Sequence, residues 1–468
     1  MWKGRGSLFK GQKILVVGAG KTGVATSRFL AGRGARVTLA DIKTAGELEE
    51  SVGDLGPGIH LVLGGYPQVT PALWDLVVVS PGVPPTAPPV KEARETGVPV
   101  TGEIELAFRL TRAPVVAITG TNGKTTTTAL TGEIFRQAGY RTLVGGNIGV
   151  PLIDKVETLG PEDVVVAEVS SFQLVTTQTF RPRVAVILNI TPDHIDWHGD
   201  FEAYVEAKAR IFRTQGPTDF TVLNFDDQVT AGLAGRTLGQ VIFFSRTHRV
   251  DRGVFVQAGK IVAADGNATQ EVCAVEDLLL PGLHNLENAL AAVAAAWSMG
   301  VDARHIASAL RTFRGVTHRL ELVAEHNGVK YVNDSKGTNP DAAIKALDAY
   351  GVPIILIAGG RNKGGSFTSF AAKVKEKVRV LILLGESAPA IEAAVRAQGF
   401  GNVLRATTLS EAVKMAHRAA RPGEVVLLSP ACASWDMFAN YEERGNLFKK
   451  VVRELVEGEV RGGTQTRG

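Results

Sequence analysis

The sequence predicts an α/β chain of three successive units, each built on a mostly parallel sheet. Three observations carry that prediction. Apolar strand-like runs alternate with helix-like stretches along the whole chain. A glycine turn, "GAGKTG", follows the first apolar run, and a second glycine loop, "ITGTNGKTTTTAL" (118–130), follows a later one. The 468 residues correspond to about three domains at ~150 residues each.

In the first unit an apolar strand over 13–17 enters the glycine turn, and a helix then leads to a second strand, "ARVTLAD". A strand within "LWDLVVVSPG" ends in a Pro-rich loop at 81–89. The amphipathic "GEIELAFRL" before Pro114 reads as a linker helix. The second unit opens at "PVVAITGTNGKTTTTAL" and continues through strands in "DVVVAEVSS", "RVAVILNITPDH" and "FTVLNFDD". A helix is expected in "LPGLHNLENALAAVAAAW". After "FRGVTHRLELV" a third unit has strands in "VKYVNDS", "VPIILIAGG", "VRVLILLGES" and "EVVLLSPACAS", and the closing "VRGGTQTRG" reads as a frayed tail.

Composition excludes several classes of function. With 45% hydrophobic and 21% charged residues the chain can bury ordinary cores. A net charge of +4, spread without a basic run, points to small anions rather than nucleic acid. Two scattered cysteines, Cys273 and Cys432, suit a reducing compartment. Neither a signal-peptide core nor an apolar run of the ~18 residues that a membrane span needs is present, so a soluble, cytoplasmic protein is expected.

The first glycine turn (Gly18, Gly20, Gly23), with Asp41 at the tip of the next strand, satisfies the dinucleotide fingerprint. A dinucleotide, another nucleotide, or a tight turn that binds nothing all remain open on this motif. The Lys124 loop is more specific. It lacks the first glycine of G-x-x-x-x-G-K-[ST], whose place Ile118 takes. Gly120 and Gly123 still permit close backbone approach, Lys124 offers charge to outer phosphates, and Thr125 or Thr126 can put a hydroxyl on Mg²⁺. Glu168 ends the strand "VVVAE", and Asp193 and His194 lie just past "VAVILNI". The carboxyl ends of parallel strands form the ligand crevice, where a carboxylate can hold a hard cation. His194 and His198 stand four apart, a zinc-compatible spacing, but Pro192 and Gly199 flank them and no third soft ligand is near. In "FEAYVEAKARIF", Phe201, Tyr204, Val205, Ile211 and Phe212 share a helical face with Lys208. Lys208 either snorkels to water or is held inward, where burial makes its neutral amine available for chemistry, including reaction with CO₂.

These segments together resemble the Mur ligase family over nearly the whole chain. The resemblance rests on "GTNGKTT", "GGNIG" (145–149), "EVSSFQL", "NITPDHIDWH", "YVEAKARIF", "HNLENALAA", "HRLE" (318–321), "VNDSKGTNP" (332–340) and "SPACASWDMF" (429–438). It implies a Rossmann-like domain at 1–102 that binds a UDP-substrate, a central P-loop ATPase-like domain with a doubly wound sheet at 103–315, and a Rossmann-like C-terminal domain at 316–468. It also implies a monomeric, ATP-dependent amide ligase that joins D-glutamate to UDP-N-acetylmuramoyl-L-alanine through an acyl phosphate. ATP would meet Gly120, Thr121, Asn122, Gly123, Lys124, Thr125, Thr126 and Thr127, with Asn288, Arg319 and Asp334 near adenine and ribose. Thr125 and Glu168 would serve one Mg²⁺, and His194 with Lys208, carried as a carbamate, a second. Thr22, Asp41, Lys43, Gly82 and Asn147 would hold the UDP-substrate, and Thr338, Lys363, Ser434 and Tyr441 the D-glutamate. Water must be kept from the acyl phosphate, so a hinge near 313–317 is expected to let the C-terminal domain close. A dehydrogenase would account for Gly18 to Asp41 but leave Lys124, Glu168 and Lys208 without a task. A non-catalytic nucleotide-gated scaffold is a third reading.

Overall fold

The computed structural model describes residues 9–52, 55–56, 58–280, 282–362 and 366–465. The described strands form three sheets. The first contains β1 (Lys13–Val17), β2 (Arg36–Asp41), β3 (Ile59–Leu63), β4 (Leu76–Val79) and β5 (Val100–Gly102), in the order β3-β2-β1-β4-β5 and parallel throughout. Its central strands are covered on both faces, which is why Ile14 to Val17 form an unbroken apolar run.

The second sheet has nine strands. They are β6 (Val115–Thr119), β7 (Thr142–Gly146), β8 (Val164–Glu168), β9 (Val184–Ile187), β10 (Phe220–Asn224), β11 (Gln240–Ser245), β12 (Arg252–Gln257), β13 (Lys260–Asp265) and β14 (Ala268–Ala274). Their order is β14-β13-β12-β11-β10-β9-β6-β8-β7. The strands from β6 to β12 pair in parallel, whereas β13 pairs antiparallel with both β12 and β14. These last hairpins are absent from the sequence expectation, which followed apolar βαβ runs. Their cues are local: Ala258 and Gly259 both take positive φ (49° and 74°) between β12 and β13, and Gly266 does so (62°) before β14.

The third sheet holds β15 (Glu321–His326), β16 (Val329–Asn333), β17 (Ile354–Gly359), β18 (Val378–Leu384), β19 (Val403–Arg405) and β20 (Val425–Leu428). Their order is β15-β16-β20-β17-β18-β19, with only β15 antiparallel. β15 turns into β16 through Asn327 and Gly328 (φ 49° and 73°), a two-residue hairpin. The helix Tyr441–Gln465 continues through most of the stretch expected to fray from residue 460.

The chain divides into two compact units, Met1–Leu279 with His284–Phe313, and Leu280–Leu283 with Arg314–Gly468. The first unit carries two sheets because the linker helix Glu103–Leu110 is fastened to the second. Buried Glu105 accepts backbone N–H groups from Gln178, Thr179 and Phe180 at 2.9–3.0 Å and an N–H of Arg109 at 2.8 Å. Burial alone would raise the Glu105 pKa, but these donors and the Thr179 hydroxyl hold it below its ordinary value. Among the described residues no helix is long and apolar enough to cross a membrane.

Candidate active site

β6 lies between β8 and β9, and the chain leaves it first toward β7 and β8, then toward β9 on the other side. Such a reversal opens a crevice beyond the carboxyl ends of the strands. The expected residues of the middle unit gather there. Gly120 to Gly123 follow β6, Glu168 ends β8, and Asn189 to His194 follow β9.

The loop after β6 is compact because its two glycines take conformations closed to other residues, φ 154° at Gly120 and 82° at Gly123. A Cβ at Gly120 would come within 2.9 Å of Leu188 Cβ, and one at Gly123 would overlap Asn288 Oδ1. Asn189 Oδ1 accepts the Asn122 N–H at 2.9 Å, and Thr121 Oγ1 donates to the Thr191 carbonyl at 3.1 Å. Lys124 opens the helix Lys124–Gln137, and its Nζ donates to the carbonyls of Gly120 (2.8 Å) and Thr121 (2.9 Å). Thr125, Thr126 and Thr127 are buried in that helix's first turn, and Thr127 Oγ1 lies 3.3 Å from Asn288 Oδ1. The sequence reading did not single out Asn189, although a polar residue directly after a buried strand marked it.

Lys208 is 1% exposed. Its Nζ donates to the Gly120 carbonyl at 2.8 Å and stands 4.5 Å from the centre of the Tyr204 ring. That corrects the snorkelling alternative: the helix Phe201–Ala209 turns this lysine inward. Desolvation first, and the nearby Lys124 charge second, drive its pKa well below the ordinary lysine value. The Tyr204 hydroxyl is 3.2 Å from Thr121 Oγ1, and burial pushes its pKa up to about 12.

Glu168 is 2% exposed. Its Oε1 accepts from Asn147 Nδ2 at 2.9 Å, while Oε2 is buried and has no hydrogen-bond partner among the described residues. A buried carboxylate oxygen left unpaired is costly unless a ligand supplies the missing charge. A hard carboxylate oxygen of this kind fits Mg²⁺. Among the described residues no three His, Cys, Asp or Glu side chains cluster as a metal site, so a cation here would also draw on the oxygens of a bound nucleotide. Asn147 is thus tied to Glu168.

His194 takes a left-handed conformation (φ 53°), with its ring 4.8 Å from that of Phe172 and its Nε2 3.6 Å from Asp193 Oδ2. Among the described residues no hydrogen bond joins His194 to Lys208. His198 stacks on Phe172 and bonds Ser171 Oγ at 3.0 Å, a use that needs no metal.

At the first glycine turn, Asp41 Oδ2 accepts the Ala19 N–H at 2.7 Å, and Oδ1 accepts the N–H of exposed Lys43 at 2.9 Å. Thr22 lies in the first turn of the helix Lys21–Gly32, and Gly82 is exposed in the loop after β4. A Cβ at Gly23 would overlap the Gly18 carbonyl, so this glycine sets the helix against the strand. In the second compact unit, Asp334 accepts from Ser429 Oγ (2.7 Å) and the Leu320 N–H (3.3 Å), and burial raises its pKa to about 6. Arg319, whose charge opposes that rise, is half-buried. Ser434 is buried in the loop beyond β20, Thr338 precedes the helix Pro340–Asp348, and Tyr441 heads the last helix, its carbonyl accepting from Ser335 Oγ at 2.8 Å. Lys363 lies outside the described residues.

The families described as "Mur ligase MurD-like, N-terminal domain", "Mur ligase middle domain" and "Mur ligase, glutamate ligase domain" match residues 12–102, 118–296 and 318–432. The chain belongs to the Mur ligase family. Among Mur ligases similar to it, the UDP-N-acetylmuramoylalanine--D-glutamate ligase of Pelotomaculum thermopropionicum is 59% identical over 454 residues, covering 96% of this chain and 99% of that protein. The protein of the same name from Thermoanaerobacter sp. (strain X514) is 47% identical over 450 residues, 95% of this chain and 99% of its own. The crystal structure of the UDP-N-acetylmuramate-alanine ligase MurC from Thermotoga maritima is similar in fold, with a TM-score of 0.58 at 20% identity over 95% of this chain and 99% of that one.

Proposed function

We propose that this Mur ligase joins D-glutamate to the L-alanine carboxylate of UDP-N-acetylmuramoyl-L-alanine at the expense of ATP, in the cytoplasmic assembly of peptidoglycan precursors. The observation that carries the reading is the unpaired Oε2 of buried Glu168 beside a loop on which Lys124 and Lys208 converge. A dehydrogenase needs none of these groups. The names of the relatives, at 47–59% identity over nearly the whole chain, support the choice of substrates.

In this reading Gly120 to Thr127 enclose the phosphates and Lys124 holds charge against the outermost one. Thr125 and Glu168 would hold one Mg²⁺, and His194 with Lys208, as a carbamate, a second; bound there, the cations would supply charge to offset that of the phosphates. Lys208 suits carbamate formation because burial favours its neutral amine, the form that adds CO₂. The substrate carboxylate oxygen forms a bond to the γ-phosphorus as ADP leaves. The D-glutamate amine then bonds to the acyl carbon, and phosphate leaves with the carboxylate oxygen.

Residues 1–102 hold the UDP portion through Thr22, Asp41, Lys43 and Gly82, with Asn147 contributing from residues 103–315. Asn288, Arg319 and Asp334 serve the adenosine. Thr338, Lys363, Ser434 and Tyr441, within 316–468, serve D-glutamate, and a hinge at 313–317 closes the site against water. Phosphate release from purified protein with UDP-N-acetylmuramoyl-L-alanine and ATP, offered D-glutamate, L-alanine, meso-diaminopimelate or D-alanyl-D-alanine in turn, tests the reading. Turnover with D-glutamate is expected, and its absence there with turnover on another amine would transfer the chain to a different Mur-type specificity.

A further inference from the structure

The phosphate loop is shaped from outside itself. Ile118, at the place of the missing first glycine, stays in β6 and pairs with Glu168 on one side and Val186 on the other. The loop therefore spans only Gly120 to Gly123 before the helix opens at Lys124. Its first backbone groups are met by the segment that follows β9. The Thr121 N–H donates to the Asn189 carbonyl at 2.9 Å, and the Asn122 N–H donates to Asn189 Oδ1 at 2.9 Å. Asn189 Nδ2 returns a bond to the Asn122 carbonyl at 3.3 Å. One half-buried residue makes all three bonds.

Asn189 is held in turn from both sides. The Leu188 N–H donates to the Thr119 carbonyl at 3.0 Å, and Nδ2 of buried Asn224 donates to the Leu188 carbonyl at 3.0 Å. Beyond it the Thr191 N–H donates to Thr121 Oγ1 at 3.0 Å. The loop thus rests on a braced segment.

This pairing decides which donors a phosphate can use. The N–H groups of Thr121 and Asn122 already have protein acceptors. Those offered to an anion begin at Gly123 and run through the first helical turn, whose N–H groups lack partners within the helix. A loop fixed in its binding shape costs less to order when the ligand arrives.

We propose that Asn189 is a positioning residue for nucleotide binding. Its carboxamide pairs with both backbone groups of Asn122 and so holds the loop in the shape that turns Gly123 to Thr126 toward the phosphates. The inference rests on the ATP-dependent function proposed above and deepens it. Asn189 acts through Asn122, not on the reacting atoms.

The test combines hydrogen exchange of the Asn122 amide with calorimetric titration of the full chain by ADP and Mg²⁺. Asn189→Leu keeps the bulk and removes both donor and acceptor, whereas Asn189→Asp keeps an acceptor for the Asn122 N–H. Exchange at Asn122 should speed up at least about tenfold in Asn189→Leu and stay slow in Asn189→Asp. The Kd for ADP should rise about tenfold in Asn189→Leu, the loss expected of an unmade backbone hydrogen bond. In turnover the KM for ATP should rise with it while that for the nucleotide sugar holds, whereas a general loss of structure would raise both and speed exchange along the whole chain. Asn189→Ser, polar but too short to span the gap, should repeat the loss of affinity and serves if the leucine variant does not fold. ADP affinity equal to that of the unsubstituted chain in these two variants overturns the inference, whether or not ligation occurs. An unsubstituted chain that binds no ADP would sink the function proposed above as well.

Discussion

Lys208 Nζ donates at 2.8 Å to the Gly120 carbonyl, the same oxygen that Lys124 Nζ reaches at 2.8 Å. Two lysine side chains converge on one neutral acceptor, and burial holds Lys208 toward its neutral amine. A Lys208→Met variant keeps the apolar stem and removes that buried amine. It should lower kcat by about 10²–10³-fold, the usual effect of deleting one contributor to the site, while the melting temperature changes little, because a desolvated polar group and its one hydrogen bond are lost together. In the unsubstituted enzyme, activity should drop in CO₂-depleted buffer and return with bicarbonate. Full activity in Lys208→Met would remove the carbamate from the account.

Glu168 shows the same separation of stability from function. With Oε2 buried and unpaired, Glu168→Gln gives Asn147 an acceptor still and removes a costly charge. Unfolding by urea should show stability retained or increased. The Mg²⁺ concentration for half-maximal activity should rise at least about tenfold, in line with losing one hard ligand. Unchanged Mg²⁺ dependence would mean the carboxylate is structural.

Gly123 is constrained twice, by φ 82° and by Asn288 Oδ1 in the space a Cβ would need. The left-handed conformation alone costs a non-glycine residue about 1–2 kcal/mol. Gly123→Ala should therefore lower the unfolding free energy by at least that much and displace Asn288, weakening ATP binding in an equilibrium titration. Both effects are expected together.

Glu103 carries a pH signature. Desolvation raises its pKa from 4.5 to about 7, against the Ile153 and Leu152 N–H groups that lower it. Below pH 4.5 the folded and unfolded chains both bind the proton, and the group is neutral to stability. Between 4.5 and 7 the unfolded chain releases it while the folded chain keeps it, so stability declines as pH rises. Above 7 the full penalty is present. Glu103→Gln should thus stabilise at pH 8 by up to about 3 kcal/mol, a gain that fades to nothing near pH 4.5. Urea unfolding at pH 8, 6 and 4.5 checks this.

What was legible in the sequence was what lies close together along the chain. Gly120, Gly123, Lys124 and Thr125 state their chemistry within six residues, and doubly covered strands such as β8 and β17 read as unbroken apolar runs. The hairpins of β12 to β14 and β15 escape a reading based on apolar runs, because polar residues flank brief apolar stretches there, although "HNGV" carries an Asn-Gly turn. The pairing of Asn147 with Glu168, and of Lys208 with a carbonyl 88 residues away, depends on sheet order. Helical periodicity shows that Lys208 shares an apolar face, not what that face meets.

The most direct test of the central claim labels the substrate. UDP-N-acetylmuramoyl-L-alanine carrying ¹⁸O in its alanine carboxylate is incubated with ATP, Mg²⁺ and D-glutamate, and the released phosphate is examined by mass spectrometry. Activation of that carboxylate by phosphorylation predicts one ¹⁸O in each phosphate formed together with ligated product. Phosphate free of label, or ADP released without product, would contradict it.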